Sequence, residues 1–171
     1  MDSYYKALPK LVFQTFSTSC WAAVIESWLG ILPGRKVRTT QAELLDMYPD
    51  KTYADGSVIP SELEGEIAKS FGMACEWIAP SSLTAEFVAK KLSTYGHLVI
   101  GYSRGSRGGH VVVCYGVGRP TGSQQLVSVM DPSNGDGGYR NREFSKFVGM
   151  PSQGSKLFIG WPDPNIDLKY F

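Results

Sequence analysis

Gln14-Thr15-Phe16-Ser17-Thr18-Ser19-Cys20-Trp21-Ala22-Ala23-Val24-Ile25-Glu26-Ser27-Trp28-Leu29-Gly30 is the stretch from which the rest of the chain can be read. Trp21, Val24, Ile25, Trp28 and Leu29 recur at the spacing of one helical face. Ser17, Thr18 and Ser19 are N-cap residues just ahead of that pattern, and Gly30 is a C-terminal stop. Cys20 therefore stands at the mouth of a helix, where unpaired backbone N–H groups and the positive end of the dipole favour an anion. A thiol so placed ionises more easily, and the thiolate is the nucleophilic form. Gln14 precedes it closely enough to bring a side-chain amide beside the group under attack. The stretch predicts an activated cysteine with an oxyanion donor.

Composition narrows the possibilities around that helix. A chain of 171 residues suits one domain, 1–171, that buries roughly 70% of its unfolded surface. Hydrophobic residues at 43% and charged ones at 19% exclude a disordered chain. A net charge of +1 excludes electrostatic capture of nucleic acid or of an acidic membrane as the main role. No run approaches the roughly 18 apolar residues of a transmembrane helix, and the start, Met1 to Lys6, carries no Sec-type signal. Neither nucleic acid nor membrane is an expected partner. The three cysteines, Cys20, Cys75 and Cys114, contain no Cys-x-x-Cys pair. Cys75 and Cys114 lie in apolar contexts and read as buried, inert thiols, which singles out Cys20.

Beyond Gly30 the helical signals continue. Thr40 to Tyr48 reads as a short helix ended by Pro49, and Asp55-Gly56 as a turn. A further helix starts at Ser61, with Glu64 completing a capping box, and buries Leu63, Ile67 and Phe71 before Gly72. Residues 73–79 read as a strand, and Ser82 or Thr84 caps a helix that buries Phe87, Val88 and Leu92. From His97 the period becomes extended, with strands over 97–102, 110–117, 126–131 and 156–161. Helices first and strands second predict an α+β fold: a helical lobe, about 14–96, packed against an antiparallel β-sheet, about 97–161.

A nucleophilic cysteine needs a base, and the base needs an orienting acceptor. His97 and His110 are the two histidines. His110 follows Gly108-Gly109 and opens a strand, so its ring can stand at the sheet edge; His97 reads as a surface residue. His110, Val112 and Cys114 share one strand face; if that face meets the Cys20 helix, imidazole and thiol can touch. Asp131 closes the next strand and lies beside His110 if the two strands pair antiparallel. Asn134 and Asp136 are rival third members. Two scattered histidines make no metal site, Gly116-Val117-Gly118-Arg119-Pro120 is no dinucleotide fingerprint, and no cofactor is expected. The glycine-rich run 101–109 reads as a hairpin loop and, second, as a lid.

Gln14, followed by Ser19-Cys20-Trp21-Ala22-Ala23, resembles the papain superfamily signature, in which a glutamine six positions before the nucleophile serves the oxyanion hole. Gly109-His110-Val111-Val112-Val113 and Val129-Met130-Asp131-Pro132 resemble the His and Asp-Pro blocks of compact bacterial members, among them double-glycine leader peptidases, avirulence-type effector proteases and papain-fold toxin domains. Plant and lysosomal papains instead carry Cys-Gly-Ser before the nucleophile and Asn as the third member. The resemblance implies a papain-like fold, Gln14 as oxyanion donor, Cys20 as nucleophile, His110 as base and Asp131 as orienter. It further implies a monomeric thiol protease acting on protein or peptide, with an inhibitory immunity protein or a host activator as partner. Such a protein resides in the bacterial cytoplasm before secretion or injection into a target cell. The rival readings are deamidation, transglutamination or acyl transfer on the same triad, or an inactive papain-fold binding module.

Overall fold

The computed structural model describes residues 3–32, 34, 38–53, 57–58, 60–103, 109–119, 124–148 and 156–166. The turn expected at Asp55-Gly56, most of the turn after Leu32 and the core of the lid candidate, 104–108, lie outside them. Helix α1 is Cys20–Leu29 and α2 is Gln41–Met47. Residues 60–70 form α3, in which a π-helical segment, Leu63–Ile67, separates two short α-helical turns. Helix α4 is Ala85–Tyr95 and α5 is Ser145–Val148. The strands are β1 Ser3–Tyr5, β2 Met73–Ile78, β3 Leu98–Ser103, β4 Gly109–Gly118, β5 Leu126–Asp131, β6 Gly138–Glu143 and β7 Leu157–Pro162.

These seven strands make one antiparallel sheet in the order β2-β7-β3-β4-β5-β6, with β1 added to the end of β4 beyond the reach of β3. The fold is α+β, helices packed against an antiparallel sheet, as expected. The lobes, however, are not separated at residue 97: β2 comes from the helical half and pairs with β7 along its full length. Two strands carry no sequence signal for physical reasons. β1 is three residues long, and β6 reads Gly-Tyr-Arg-Asn-Arg-Glu, a polar edge strand with no alternation of apolar residues.

The sheet is covered on both faces. Trp21, Val24, Ile25 and Trp28 of α1 pack with Leu44 of α2, Ile67 of α3 and the sheet residues Val99, Val111, Val113, Met130 and Phe158. On the opposite face, Val88 and Leu92 of α4 pack with Ile100, Val112, Cys114, Val127, Val129 and Ile159. The condition that the Val112–Cys114 face meets the Cys20 helix is therefore not fulfilled. That face lies under α4, and the Val111–Val113 face meets α1, because successive side chains of a strand point to opposite sides.

Helix α1 is more deeply enclosed than its apolar stripe suggests. Ala22, Ala23 and Ser27 are buried too, and only Glu26 is partly exposed. The Ser27 hydroxyl donates to the Lys10 carbonyl at 2.6 Å, while Glu26 takes Lys10 Nζ at 2.7 Å and the Gln41 backbone N–H at 2.8 Å. The lead-in 10–15 thus lies along α1, and Gln41 fastens it by bonding the Phe13 carbonyl and the Thr15 N–H.

The capping boxes also differ from expectation. Thr40 and Glu43 form one at the start of α2, each bonding the other's backbone N–H. Glu64 closes none; it sits in the π-helical turn, and its carboxylate accepts the Trp77 indole N–H at 2.6 Å. Thr84, not Ser82, caps α4. Thr40→Ala should accordingly cost about 1 kcal/mol of stability. Ser61→Ala should stay within about 0.5 kcal/mol, both measured by urea denaturation.

Candidate active site

At the front end of α1 the N-cap side chain is turned away from the helix. Ser19 occupies the N-cap position, yet its hydroxyl makes no cap bond; it bonds back to the Phe16 N–H and carbonyl instead. No acidic side chain lies in the first turn to compete for the dipole. Cys20, 8% exposed, opens the helix at this point. The other two thiols are inert by comparison. Burial, with Glu64 adding to it, pushes Cys75 up to about 11, and burial pushes Cys114 up to about 12.

Cys20 and His110 line one cleft of about 470 Å³. Its floor is a row of four residues paired across the sheet, Trp77, Phe158, Gly101 and Val111, on the face that carries α1. Gly101 contributes no side chain to that row, and a Cβ there would come within 3.1 Å of the Phe158 Cβ. Val58 and Leu63 stand along one wall; Ser17, Thr18, Tyr53, Ser57 and Lys156 add polar groups.

His110 reaches this cleft although alternation assigns it to the α4 face with Val112. It is the second residue of β4, so it stands at the rim, where the sheet no longer separates its two sides. There its ring meets Tyr102, its cross-strand partner, edge to face at 5.7 Å. His110 Nε2–H donates to Asp131 Oδ1 at 2.8 Å, and the Ser133 hydroxyl lies 3.3 Å from the same nitrogen. Asp131 is 0% exposed and carries two more partners: the Ser133 backbone N–H on Oδ1 at 2.9 Å, and Arg142 Nη2 on Oδ2. Burial by itself would raise this carboxyl. The His110 hydrogen bond and charge, with the Ser133 donors, outweigh burial and hold it well below the usual carboxylate range.

The rival third members are placed elsewhere. Asn134 donates to the Gln14 carbonyl at 2.8 Å, and the Gln14 N–H donates to the Pro132 carbonyl at 2.9 Å, so the loop after Asp131 clasps the Gln14 backbone. Asp136 is exposed, and its carbonyl accepts from Arg140. Gln14 is itself buried. Its amide donates to the Ser17 carbonyl at 2.8 Å, tightening the turn into α1, while its Oε1 is enclosed with no hydrogen-bond partner among the described residues. His97 serves the fold. Its Nε2–H donates to the Ala7 carbonyl at 2.6 Å, its own carbonyl accepts from the Trp28 indole, and burial lowers its pKa. Sequence reasoning missed Ser133 and Arg142. Ser133 carries a weak signal in Asp-Pro-Ser, a turn in which a backbone N–H bonds back to the aspartate; Arg142 carries none.

The family model for papain-like cysteine protease AvrRpt2 matches residues 5–151. The chain belongs to this family. No curated protein matches it. Two solved structures share the fold with this papain-like protease. The peptidase domain of Streptococcus ComA, a bifunctional ABC transporter involved in a quorum-sensing pathway, matches at a TM-score of 0.60 and 20% identity, over 91% of this chain and 99% of that one. A chain from a study of antibody cross-reactivity between the mite allergens Blo t 1 and Der p 1 matches at 0.55 and 14%, over 90% of this chain and 67% of that one. By family the protein is a cysteine peptidase, with protein or peptide as its substrate class.

Because the Asp131 pKa is depressed in the folded protein, below about 3.9 in the unfolded chain, its contribution to stability is present above that pH and lost as pH falls below it. Unfolding free energies between neutral and acid pH should therefore drop below about pH 4. Asp131→Asn should be less stable at neutral pH and show a shallower acid loss.

Proposed function

We propose that the protein cleaves peptide bonds through a thioester on Cys20, with His110 as base and then acid, Asp131 as its orienting partner and Gln14 as a donor to the oxyanion. The observation that carries this reading is the shared cleft. A cysteine at a helix front whose N-cap side chain makes no cap bond and a histidine at a strand start line the same space, and a buried carboxylate grips the histidine's Nε2. With Nε2–H committed to Asp131, Nδ1 is the nitrogen that exchanges a proton with the Cys20 thiol.

Proton transfer from Cys20 to His110 gives a thiolate–imidazolium pair, stabilised by the α1 dipole and by Asp131. The sulfur attacks the scissile carbonyl carbon. Its oxygen becomes an oxyanion, received by the Cys20 backbone N–H and by the second amide hydrogen of Gln14, the first being held by Ser17. Collapse of this intermediate breaks the C–N bond, and His110 delivers its proton to the leaving amine. Water, deprotonated by His110, then attacks the thioester, releasing the acid and the Cys20 thiol. The Trp77–Phe158–Gly101–Val111 floor supports a substrate that lays an apolar side chain beside the cleavage point, where burial against these residues favours binding.

The family name, papain-like cysteine protease AvrRpt2, is in keeping with a bacterial effector or toxin; monomeric action on protein in a target cell after delivery is part of the same proposal. The proposed partner, besides the protein substrate, is an inhibitory immunity protein or a host activator.

Incubation with a target-cell proteome should generate new peptide N-termini; mass shifts without cleavage would instead identify a deamidase. Cys20→Ala should abolish cleavage with the fold intact. Gln14→Ala should lower turnover by about 100-fold or more with little change in KM. Alkylation of Cys20 near neutral pH should outpace that of a free peptide thiol, and an equal rate would point to an inactive binding module. His97→Ala should leave turnover near the wild-type value, and its loss in a folded variant would transfer the base to His97.

A further inference from the structure

Arg142 reaches the buried Asp131 carboxylate from β6, the edge strand of the sheet. It is paired in register with Val127, four residues before Asp131 on β5, so its side chain must run along the strand to reach Oδ2. Arg142 Nε is enclosed without a hydrogen-bond partner among the described residues. A buried arginine nitrogen left unbonded is costly, and the structure tolerates it to keep the guanidinium on this one carboxylate. The two Asp131 oxygens are thereby divided: Oδ1 takes His110 and the Ser133 N–H, and Oδ2 takes Arg142.

We infer that Arg142 is a positioning residue of the catalytic site, which holds the Asp131 carboxylate in the rotamer that aims Oδ1 at His110 and offsets its charge, so that the imidazolium formed during turnover is not over-stabilised. The inference rests on the catalytic reading of Cys20, His110 and Asp131 given above. Arg142 does not line the cleft and acts only through Asp131. Among the described residues, the charged and titratable groups that contact His110 or share its cleft are Cys20 from α1, Tyr102 from β3, Asp131 from β5 and, elsewhere along the cleft, Tyr53 and Lys156. Lys156 opposes a charged imidazolium as Arg142 does, but from the exposed side, where water screens it. Removing Arg142 leaves the Asp131 charge unmatched beside His110, and an unmatched carboxylate raises the pKa of a neighbouring imidazolium.

The test is the pH dependence of kcat/KM on a peptide substrate, with the pH dependence of Cys20 alkylation beside it, in the wild type, Arg142→Gln, Arg142→Lys and Asp131→Asn. Arg142→Gln should move the alkaline limb upward by about one unit and lower kcat by roughly tenfold, the scale on which outer hydrogen-bond partners tune a site, with KM little changed. Arg142→Lys keeps the charge without the fork, so it should restore the alkaline limb and recover only part of kcat. Adding Arg142→Gln to Asp131→Asn should move neither limb further. An alkaline limb at the wild-type position in Arg142→Gln, with only a lowered Tm, would make Arg142 a structural residue and overturn the inference. If Arg142→Gln does not fold, Arg142→Lys decides: wild-type kcat there would overturn the positioning role. Wild-type Cys20 alkylation no faster than a peptide thiol would sink the catalytic reading itself, whatever Arg142 does.

Discussion

A carboxylate with no access to water governs how this molecule is assembled. Asp131 ends β5 inside the protein, and an unmatched charge there would be prohibitively costly. Its partners come from three separate parts of the chain: an imidazole from β4, a backbone N–H from the turn after β5, and a guanidinium from β6. Those three strands must therefore adopt one register, and the turn Asp-Pro-Ser must close in one way. The same loop clasps the backbone of Gln14, which ties the approach to α1 to the end of the sheet. Satisfying one buried charge thus helps set the relation between the helix that carries the thiol and the strand that carries the imidazole.

The second constraint is the enclosure of α1. A helix buried on all sides but one residue cannot shift along its axis without breaking packing against Val99, Val111 and Phe158, or its polar contacts with Lys10 and Gln41. This rigidity serves the sulfur, since a thiol at a helix front profits from the dipole only while it stays within the first turn. The apolar cleft beside it follows from the same packing. The row of residues that supports α1 continues past the helix front, and at Gly101 that row drops in height, leaving room beside Cys20.

Polar residues that look interchangeable in the chain have been sorted by geometry. Asp131, Asn134 and Asp136 stand close together at and after the end of β5; the first holds His110, the second holds Gln14 and the third faces solvent. His97 and His110 divide similarly, the former fastening the lead-in at Ala7 and the latter lining the cleft. Ser19, a good cap by composition, turns its hydroxyl back to Phe16 and leaves the helix front uncapped by its own side chain.

Much of this was legible in the residues alone. The apolar spacing from Trp21 to Leu29 defines α1 because helical period is a local property, and Cys20 at its front, Gln14 before it, and the extended runs around His110 and Asp131 are equally local. What the residues could not reveal is whatever depends on partners distant in the chain. β1 and β6 exist only because β4 and β5 offer edges to pair with. The face of β4 that meets α1 was decided by the two-sided covering of the sheet, since alternation labels two faces without saying which helix covers which. Arg142 joined the site because antiparallel pairing carried β6 back alongside β5 and its side chain runs along the sheet to Asp131, a cross-strand contact between sequential strands that no motif around Asp131 encodes.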